Sequence, residues 1–296
     1  MKTVSLIIPV FNAEKYLPGL FACLDQCDFQ PGDEIFLVDN GSTDASGTMC
    51  AEKAQNPLYH ALRYTDKADS YAARNHALQF AKGDILAFMD SDCKPIPTWL
   101  QAVRSNAAEN TVVAGHVELE IVQNNLWEHY DSITHLGQSR RQIQNGRVAT
   151  ANMAVNREDF FKVGKFEERF SGGDYEWSTR AQTKGLTVKY CPDALVYHPS
   201  RSTYEQTLTK EKRIAYGVGK SYKNNGKSGK KLAIIYFLKI FKIDTNIRIT
   251  RQLKDRKVSF RDRVEFNKKF FAIRWEQLHS ALNGYRQVDA RSLGIK

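Results

Sequence analysis

No run of about 18 consecutive apolar residues occurs in the 296-residue chain, so no helix is expected to cross a membrane. The first residues, Met1 to Pro9, lead directly into an apolar strand, and no signal peptide is expected. Cysteine is sparse and odd in number: Cys23, Cys27, Cys50, Cys93 and Cys191. Cys23 and Cys27 lie four apart, with no second Cys or His pair at zinc spacing. The five therefore read as reduced thiols of a cytosolic protein. The chain also lacks a Gly-x-Gly-x-x-Gly after its first strand and a Gly-rich loop ending in Gly-Lys-Ser/Thr. These absences exclude the usual dinucleotide fingerprint and the P-loop. No internal repeat is visible. A hydrophobic fraction of 42% and an aromatic fraction of 11% exclude a disordered chain. The length allows one sizeable core, or one core plus an appendage.

Charge is unevenly spread. Residues 1–200 carry 19 Lys and Arg against 25 Asp and Glu, a net −6. Residues 201–296 carry 24 against 8, a net +16. An acidic body with a strongly basic tail suggests an anionic partner, either nucleic acid or a membrane surface.

The first 200 residues alternate short apolar runs with helical spacing. Strands are predicted at Val4–Val10, Ile35–Val38, Tyr59–Tyr64 and Ile85–Met89, with helices over Ala13–Cys27 and Ser70–Ala81. A helix over Thr98–Ala108 and a strand over Thr111–Glu120 follow. Residues 121–147 read as polar and helical. Val148–Val155 reads as a strand, Tyr175–Lys184 as a helix, and Leu186–Tyr190 and Ala194–Tyr197 as two short strands. The alternation predicts βαβ units: an α/β fold, Rossmann-like, with a mostly parallel sheet and flanking helices.

Asp90-Ser91-Asp92 ends the apolar run Ile85–Met89. Two carboxylates one residue apart at a strand's carboxyl end point into the crevice where open α/β sheets bind ligands. Their charges are cheap there only with water or a cation beside them, and a hard divalent cation bridging to phosphate oxygens would serve. Read alone, the triplet is more often a solvated turn, since the motif is short and common. The other strand ends weigh against that reading. Pro9 to Asn12, Asp39 to Asp44 and Arg74-Asn75 fall on the same predicted edge, which suits a nucleoside diphosphate.

Five blocks in order carry a resemblance: Ser5-Leu-Ile-Ile-Pro-Val-Phe-Asn12, Val38-Asp-Asn-Gly-Ser-Thr-Asp44, Ala73-Arg-Asn75, Met89-Asp-Ser-Asp92, and Ser171-Gly-Gly-Asp-Tyr-Glu-Trp-Ser-Thr-Arg180 followed by Gly185. Over residues 3–200 the chain resembles the family 2 glycosyltransferases. The resemblance implies a GT-A fold, a nucleotide-sugar donor (expected to be UDP-linked), Mn²⁺ or Mg²⁺, and inversion at the anomeric carbon. It implies that Asp39 accepts a hydrogen bond from the nucleobase, with Pro9, Val10 and Asn12 lining that pocket. Arg74 would lie near the ribose or phosphates, Asp90 would face the ribose and donor sugar, and Asp92 would ligate the metal. His198 falls where the family often places a histidine near the metal, and imidazole is a competent Mn²⁺ ligand.

An inverting transfer needs one base. Asp174 and Glu176 are the carboxylates available. The family usually shows Glu-Asp here with the Asp as base; this chain has Gly173-Asp174, so Asp174 keeps the base position without its acidic neighbour. As a structural alternative, Asp174 would simply start the following helix. Tyr175 and Trp177, with Glu176 between them, are candidates for an acceptor-sugar platform, since sugars stack on aromatic faces.

Three segments are expected: a catalytic domain over 1–200, a connector over 201–230, and a basic amphipathic helical tail over 231–296. In the run Lys231 to Ile243, helical geometry places Lys231, Lys239 and Lys242 within roughly 80° of one another, the rest of the surface being apolar. That pattern fits an interfacial helix on an anionic membrane. The expected protein is cytoplasmic, peripheral on the inner face of the cell membrane, and acts on a glycan or lipid-linked acceptor. Two rivals remain. A nucleotidyltransferase would want a Gly-rich basic loop where this chain has Asn12-Ala-Glu-Lys15. A nucleic-acid binder would want a reader motif, which the tail lacks, so no nucleic acid is expected.

Overall fold

The computed structural model describes residues 2–67, 69–134, 138, 143 and 146–295. The chain divides into two compact units. The first draws its described residues from 1–120, 136–168 and 173–199, and the second from 121–135, 169–172 and 200–296.

The first unit holds an eight-stranded sheet. Its elements in chain order are β1 (Val4–Val10), α1 (Leu17–Leu24), β2 (Glu34–Asp39), α2 (Ser46–Lys53), β3 (Tyr59–Arg63), α3 (Ser70–Ala77), β4 (Ile85–Met89), β5 (Lys94–Pro95), α4 (Trp99–Asn106) and β6 (Thr111–Glu120). After α5 (Leu126–Thr134), which belongs to the second unit, come β7 (Asn152–Asn156), α6 (Arg157–Val163), α7 (Gly173–Thr183) and β8 (Thr187–Pro199). The strand order is β3-β2-β1-β4-β7-β6-β8-β5. β1, β2, β3 and β4 pair in parallel, as do β6 and β8, whereas β7 runs antiparallel to both β4 and β6.

The pairing follows from the sequence pattern. β1, β4 and β7 are buried along their whole length, as continuous apolar strands at a sheet centre should be. Val4, Leu6, Ile8 and Val10 face one layer of the core and Ile7 the other, the period of two of a strand. Each such apolar side chain contributes about 1.5–3 kcal/mol. The order reverses between β1 and β4, because β2 and β3 were added on the far side of β1. The crevice at the carboxyl ends of β1 and β4 is therefore the switch point where doubly wound sheets bind ligands.

Three expected elements differ. The strand predicted from Val148 begins at Asn152, because the amides before it are taken by side chains, those of Val148 and Thr150 by Ser178 and Asp174 and that of Ala149 by Gln138. Gln138 Oε1 accepts from the Ala149 amide at 2.6 Å and its Nε2 donates to the Asn152 carbonyl at 2.7 Å. The two short final strands are one 13-residue strand, β8, whose pairing with β6 skips from Cys191 to Leu195. Pro192, lacking an N–H, sits in that bulge. Of the predicted helical stretch 121–147, α5 is described, and residues 135–137, 139–142, 144 and 145 lie outside the described residues.

The second unit is helical. With α5 it comprises α8 (Tyr204–Asn224), α9 (Gly229–Ile240), α10 (Ile243–Asp255) and α11 (Phe260–Arg286). The expected connector over 201–230 is mostly α8, capped by the Thr203 side chain. The polar stretch ends that helix at Asn225, with Gly226 at φ +64°, and Ser228 caps the next. Nor is the basic tail a free appendage. Leu232, Tyr236 and Ile240 of α9, spaced four apart, pack with Ala215 and with Leu278 and Ala281 of α11. Phe266 and Phe270 of α11 pack with Trp127 and Tyr130 of α5. Lys210 lies in this unit with its ammonium 3.8 Å from the buried Asp131 carboxylate, and burial pushes its pKa down to about 7.

Candidate active site

The carboxyl ends of β1, β2 and β4 carry the predicted residues. At the end of β1, Pro9 and Val10 are buried within the sheet, Val10 in the core layer beneath it. Both pair with β2, opposite Val38 and Asp39, and the Val10 carbonyl accepts from the Asn40 amide at 2.8 Å. Asn12 adopts φ +48°, a left-handed turn that Asn tolerates. Its Oδ1 accepts from the Thr43 amide at 2.8 Å, and its own amide donates to Ser42 Oγ at 3.0 Å. The β1 and β2 ends are thereby stitched together. Asp39, at the end of β2, is buried, and its Oδ1 accepts the Ser42 amide at 2.9 Å.

Asp90 and Asp92 leave the end of β4. One oxygen or nitrogen from each of Asp90, Asp92 and His198 lies within 4.8 Å of the others. His198 arrives on β8 from the far side of the sheet. Its Nδ1 donates to the Pro199 carbonyl at 2.9 Å, since a carbonyl can only accept. That leaves Nε2 facing the Asp92 carboxylate, 3.3 Å from its Oδ1. Two bare acceptors so placed repel unless a proton or a cation lies between them. Two hard carboxylates and an oriented imidazole are a fitting donor set for Mn²⁺ or Mg²⁺.

Arg74 stands behind this cluster. The Asp69 carboxylate caps α3 by accepting the Tyr71 amide at 2.8 Å, and the helix then places Tyr71 and Arg74, three apart, on one face. Arg74 is almost fully buried, and its Nη2 donates to Asp90 Oδ1 at 2.5 Å. The guanidinium braces Asp90 from inside the protein rather than standing open to a ligand.

Asp174 lies in the first turn of α7, so the base candidate starts the helix as well. Its Oδ1 accepts from Tyr71 Oη and from the Tyr175 amide, both at 2.9 Å, and its Oδ2 faces the Thr150 amide at 3.4 Å. The carboxylate is partly accessible yet densely surrounded by protein. Burial raises its pKa above the usual Asp range, against the lowering pull of those donors and of Arg74. Glu176 is engaged elsewhere: both of its oxygens take the Arg180 guanidinium, at 2.9 and 3.1 Å.

The aromatic platform is half corrected. Trp177 is fully buried, stacked on Phe160 with ring centroids 5.0 Å apart, and its Nε1 donates to the Gly164 carbonyl at 2.7 Å. At helical spacing Trp177 falls on the inner face of α7, so it is a core residue and cannot offer a face to a sugar. Tyr175 is 41% exposed, with the Arg147 guanidinium 5.8 Å from its ring centroid. Sequence reasoning missed Tyr71 and Thr150. Only the Asp69 cap preceding Tyr71 could have hinted at its placement.

A model of glycosyl transferase family 2 matches residues 5–164, and one of glycosyl transferase family group 2 matches residues 85–284. The chain is 34% identical over 223 residues to Glycosyltransferase AglE of Haloferax volcanii, covering 72% of each. It is 33% identical over 121 residues to an undecaprenyl-phosphate 4-deoxy-4-formamido-L-arabinose transferase of Pectobacterium carotovorum, covering 40% of this chain and 37% of that protein. Among solved structures it resembles the mannosyltransferase PcManGT of Pyrobaculum calidifontis, in complex with GDP-Man and Mn²⁺, at TM-score 0.63 and 15% identity, covering 97% of this chain and 88% of that one. It also resembles S. aureus TarS 1–349 in complex with UDP-GlcNAc, at TM-score 0.55 and 18% identity, covering 99% and 92%. At such identities these structures show the fold, which is GT-A. With the strand-end carboxylates, the ordered blocks and both family models in agreement, this chain belongs to glycosyl transferase family 2.

Proposed function

We propose that the protein is an inverting, metal-dependent transferase. It moves a sugar from a nucleoside diphosphate sugar to a hydroxyl of a lipid-linked glycan, in the building of a polysaccharide. The observation that carries this reading is the pairing of an Asp90–Asp92–His198 donor set with one carboxylate of raised pKa, Asp174. Asp90, Asp92 and His198 would hold Mn²⁺ or Mg²⁺. Such an ion supplies Lewis-acid stabilisation of the charge on the departing diphosphate.

The chain's own groups do the rest. Asp39 and the Asn12 turn offer the nucleobase a buried acceptor and a rigid edge. Arg74 fixes the Asp90 carboxylate toward the donor. Asp174 accepts the proton of the acceptor hydroxyl as that oxygen bonds to the anomeric carbon and the bond to the diphosphate breaks. Of the two candidate carboxylates, Glu176 is tied to Arg180 and Asp174 is left to act, which supports single displacement with inversion. Support for a nucleotide-sugar donor comes from the ligands named for PcManGT and TarS, and for a lipid-linked acceptor from the name of the Pectobacterium relative.

Membrane docking belongs to the same reading. No helix among the described residues is long and apolar enough to cross a membrane. The face of α9 and α10 away from their packed side exposes Ile234, Phe237, Leu238, Phe241, Ile243 and Ile247. Lys231, Arg248 and Arg251 lie on the same helices and Lys242 between them, in a segment of net +16. An apolar face among cations suits an anionic bilayer.

The test is a hydrolysis screen of UDP-GlcNAc, UDP-glucose and GDP-mannose with and without Mn²⁺. Metal-dependent release of UDP or GDP, with the freed sugar in the inverted anomeric form, is expected. Release of the sugar 1-phosphate with UMP or GMP, the products of attack at the α-phosphorus, would instead indicate nucleotidyl transfer and defeat the assignment.

A further inference from the structure

Gly173 immediately precedes Asp174, so Asp174 has no carboxylate before it to orient or tune it. The space such a side chain would need is filled. A Cβ at Gly173 would lie 2.9 Å from two ring carbons of Tyr71 and 3.0 Å from the Glu167 carbonyl oxygen. The Tyr71 ring is buried there, with the Arg74 guanidinium 5.7 Å from its centroid and its hydroxyl 2.9 Å from Asp174 Oδ1.

We propose that Tyr71 is the positioning residue for the Asp174 base: its hydroxyl and the Tyr175 amide hold Oδ1, and so leave Oδ2, the less tightly bonded oxygen, as the one that takes the acceptor's proton. The inference rests on the reading of Asp174 as the base. The division of labour between the two oxygens is visible in their bonds. Oδ1 has two donors at 2.9 Å, while Oδ2 has only the Thr150 amide at 3.4 Å. A carboxylate fixed through one oxygen cannot rotate about its χ2 bond without losing both donors. Its other oxygen therefore stays aimed, and pre-aimed groups contribute to rate rather than to binding.

Tyr71 also closes a chain across the first unit. It touches Asp174 through its hydroxyl and Arg74 through its ring face, and Arg74 in turn holds Asp90. Base and metal-binding carboxylate are thus positioned by one turn of α3. This requires a small residue at 173, which explains why the acidic neighbour is absent: ring and side chain compete for one space.

The test variant is Tyr71→Phe in the full chain, which keeps the ring on Gly173 and over Arg74 and removes only the hydroxyl. Metal-dependent hydrolysis of UDP-GlcNAc or GDP-mannose should lose about tenfold in kcat, the scale of a lost hydrogen bond to a charged group, with donor KM little changed. The charged or titratable groups facing Asp174 are Tyr71, Arg74 and Tyr175, the last lying beneath Arg147. Of these only Tyr71 changes. Losing a donor to the carboxylate favours its protonated form, so the acid limb of the pH profile should move to higher pH. Carboxyl ¹³C titration of Asp174, assigned by its absence in Asp174→Asn, should show the same upward move and requires no turnover. An unmoved Asp174 titration, or a Phe variant that loses KM and keeps kcat, would overturn the positioning role. If no nucleotide sugar is hydrolysed by the wild type, the donor reading fails while the titration still decides whether Tyr71 governs Asp174.

Discussion

Arg74 Nη2 lies 2.5 Å from Asp90 Oδ1, with the guanidinium side chain 2% exposed and the carboxylate 34% exposed. The cation is inside the protein and the anion at its rim. Arg74 Nε, also buried, has no hydrogen-bond partner among the described residues. The buried member of this ion pair is thus not fully satisfied, and its contact with Asp90 holds one carboxylate oxygen from inside the protein.

Arg74→Lys is expected to fail as a replacement. Lysine's single point charge cannot hold a carboxylate in one orientation as a planar guanidinium does. Calorimetric affinity for UDP with Mn²⁺ should fall by roughly 10-fold or more, the usual scale for loss of a group that orients a metal ligand. Wild-type affinity in the Lys variant would show that charge alone suffices.

Asp92→Ala should abolish the effect of metal on donor binding. UDP affinity in the variant should be the same with and without Mn²⁺, and Mn²⁺ should no longer raise its melting temperature. His198→Ala should weaken the metal effect while retaining part of it, because two carboxylates remain. Undiminished Mn²⁺ dependence in Asp92→Ala would remove it from the ligand set.

Asp174→Asn should keep UDP binding and lose transfer by about 100-fold or more, the scale of a general base. The sign of its pH effect on folding is opposite to that of a salt-bridged aspartate. Burial raises its folded-state pKa above the unfolded value. The folded state then holds a proton the unfolded state has released, so stability falls as pH rises between the two values. Above that window the wild type should unfold at a lower temperature than Asp174→Asn, and the difference should vanish below the unfolded aspartate pKa. A variant that is less stable than wild type at neutral pH contradicts the raised pKa.

Phe237→Asp with Phe241→Asp should detach the protein from anionic vesicles without unfolding it. The two rings are about half exposed or more, and they pack against each other, centroids 5.2 Å apart, rather than into the core. Wild type should sediment with phosphatidylserine-containing vesicles at low salt and partly release at high salt, since each basic residue near the surface contributes about 1 kcal/mol that salt screens. Deleting 231–296 would not separate the two readings, because it would strip α9 and α11 from their own core. Equal sedimentation of the double variant and wild type, with unchanged melting, would place the membrane contact elsewhere or nowhere.

Local chemistry made much of this protein legible in its sequence. Continuous apolar runs such as Ile85–Met89 specify buried strands, and Asp90-Ser-Asp92 stands out only beside the other strand ends on the same predicted edge. The five ordered blocks needed no coordinates to be assigned to a family. Pairing decided the rest, because hydrogen-bond partners far apart in the chain leave no local trace. β7 entered the sheet antiparallel between β4 and β6, and β8 merged two predicted strands across a bulge. Trp177 and Tyr175 are near neighbours in sequence, yet one is a core side chain and the other lies at the surface, a difference set by which face of α7 packs on Phe160. The basic tail read as an amphipathic surface because charge and apolarity count alike in a sequence, whether the apolar side meets lipid or another helix. Tyr71 is the sharpest case. Only the fold brings it across about a hundred residues of chain to Asp174, into the space that Gly173 leaves open.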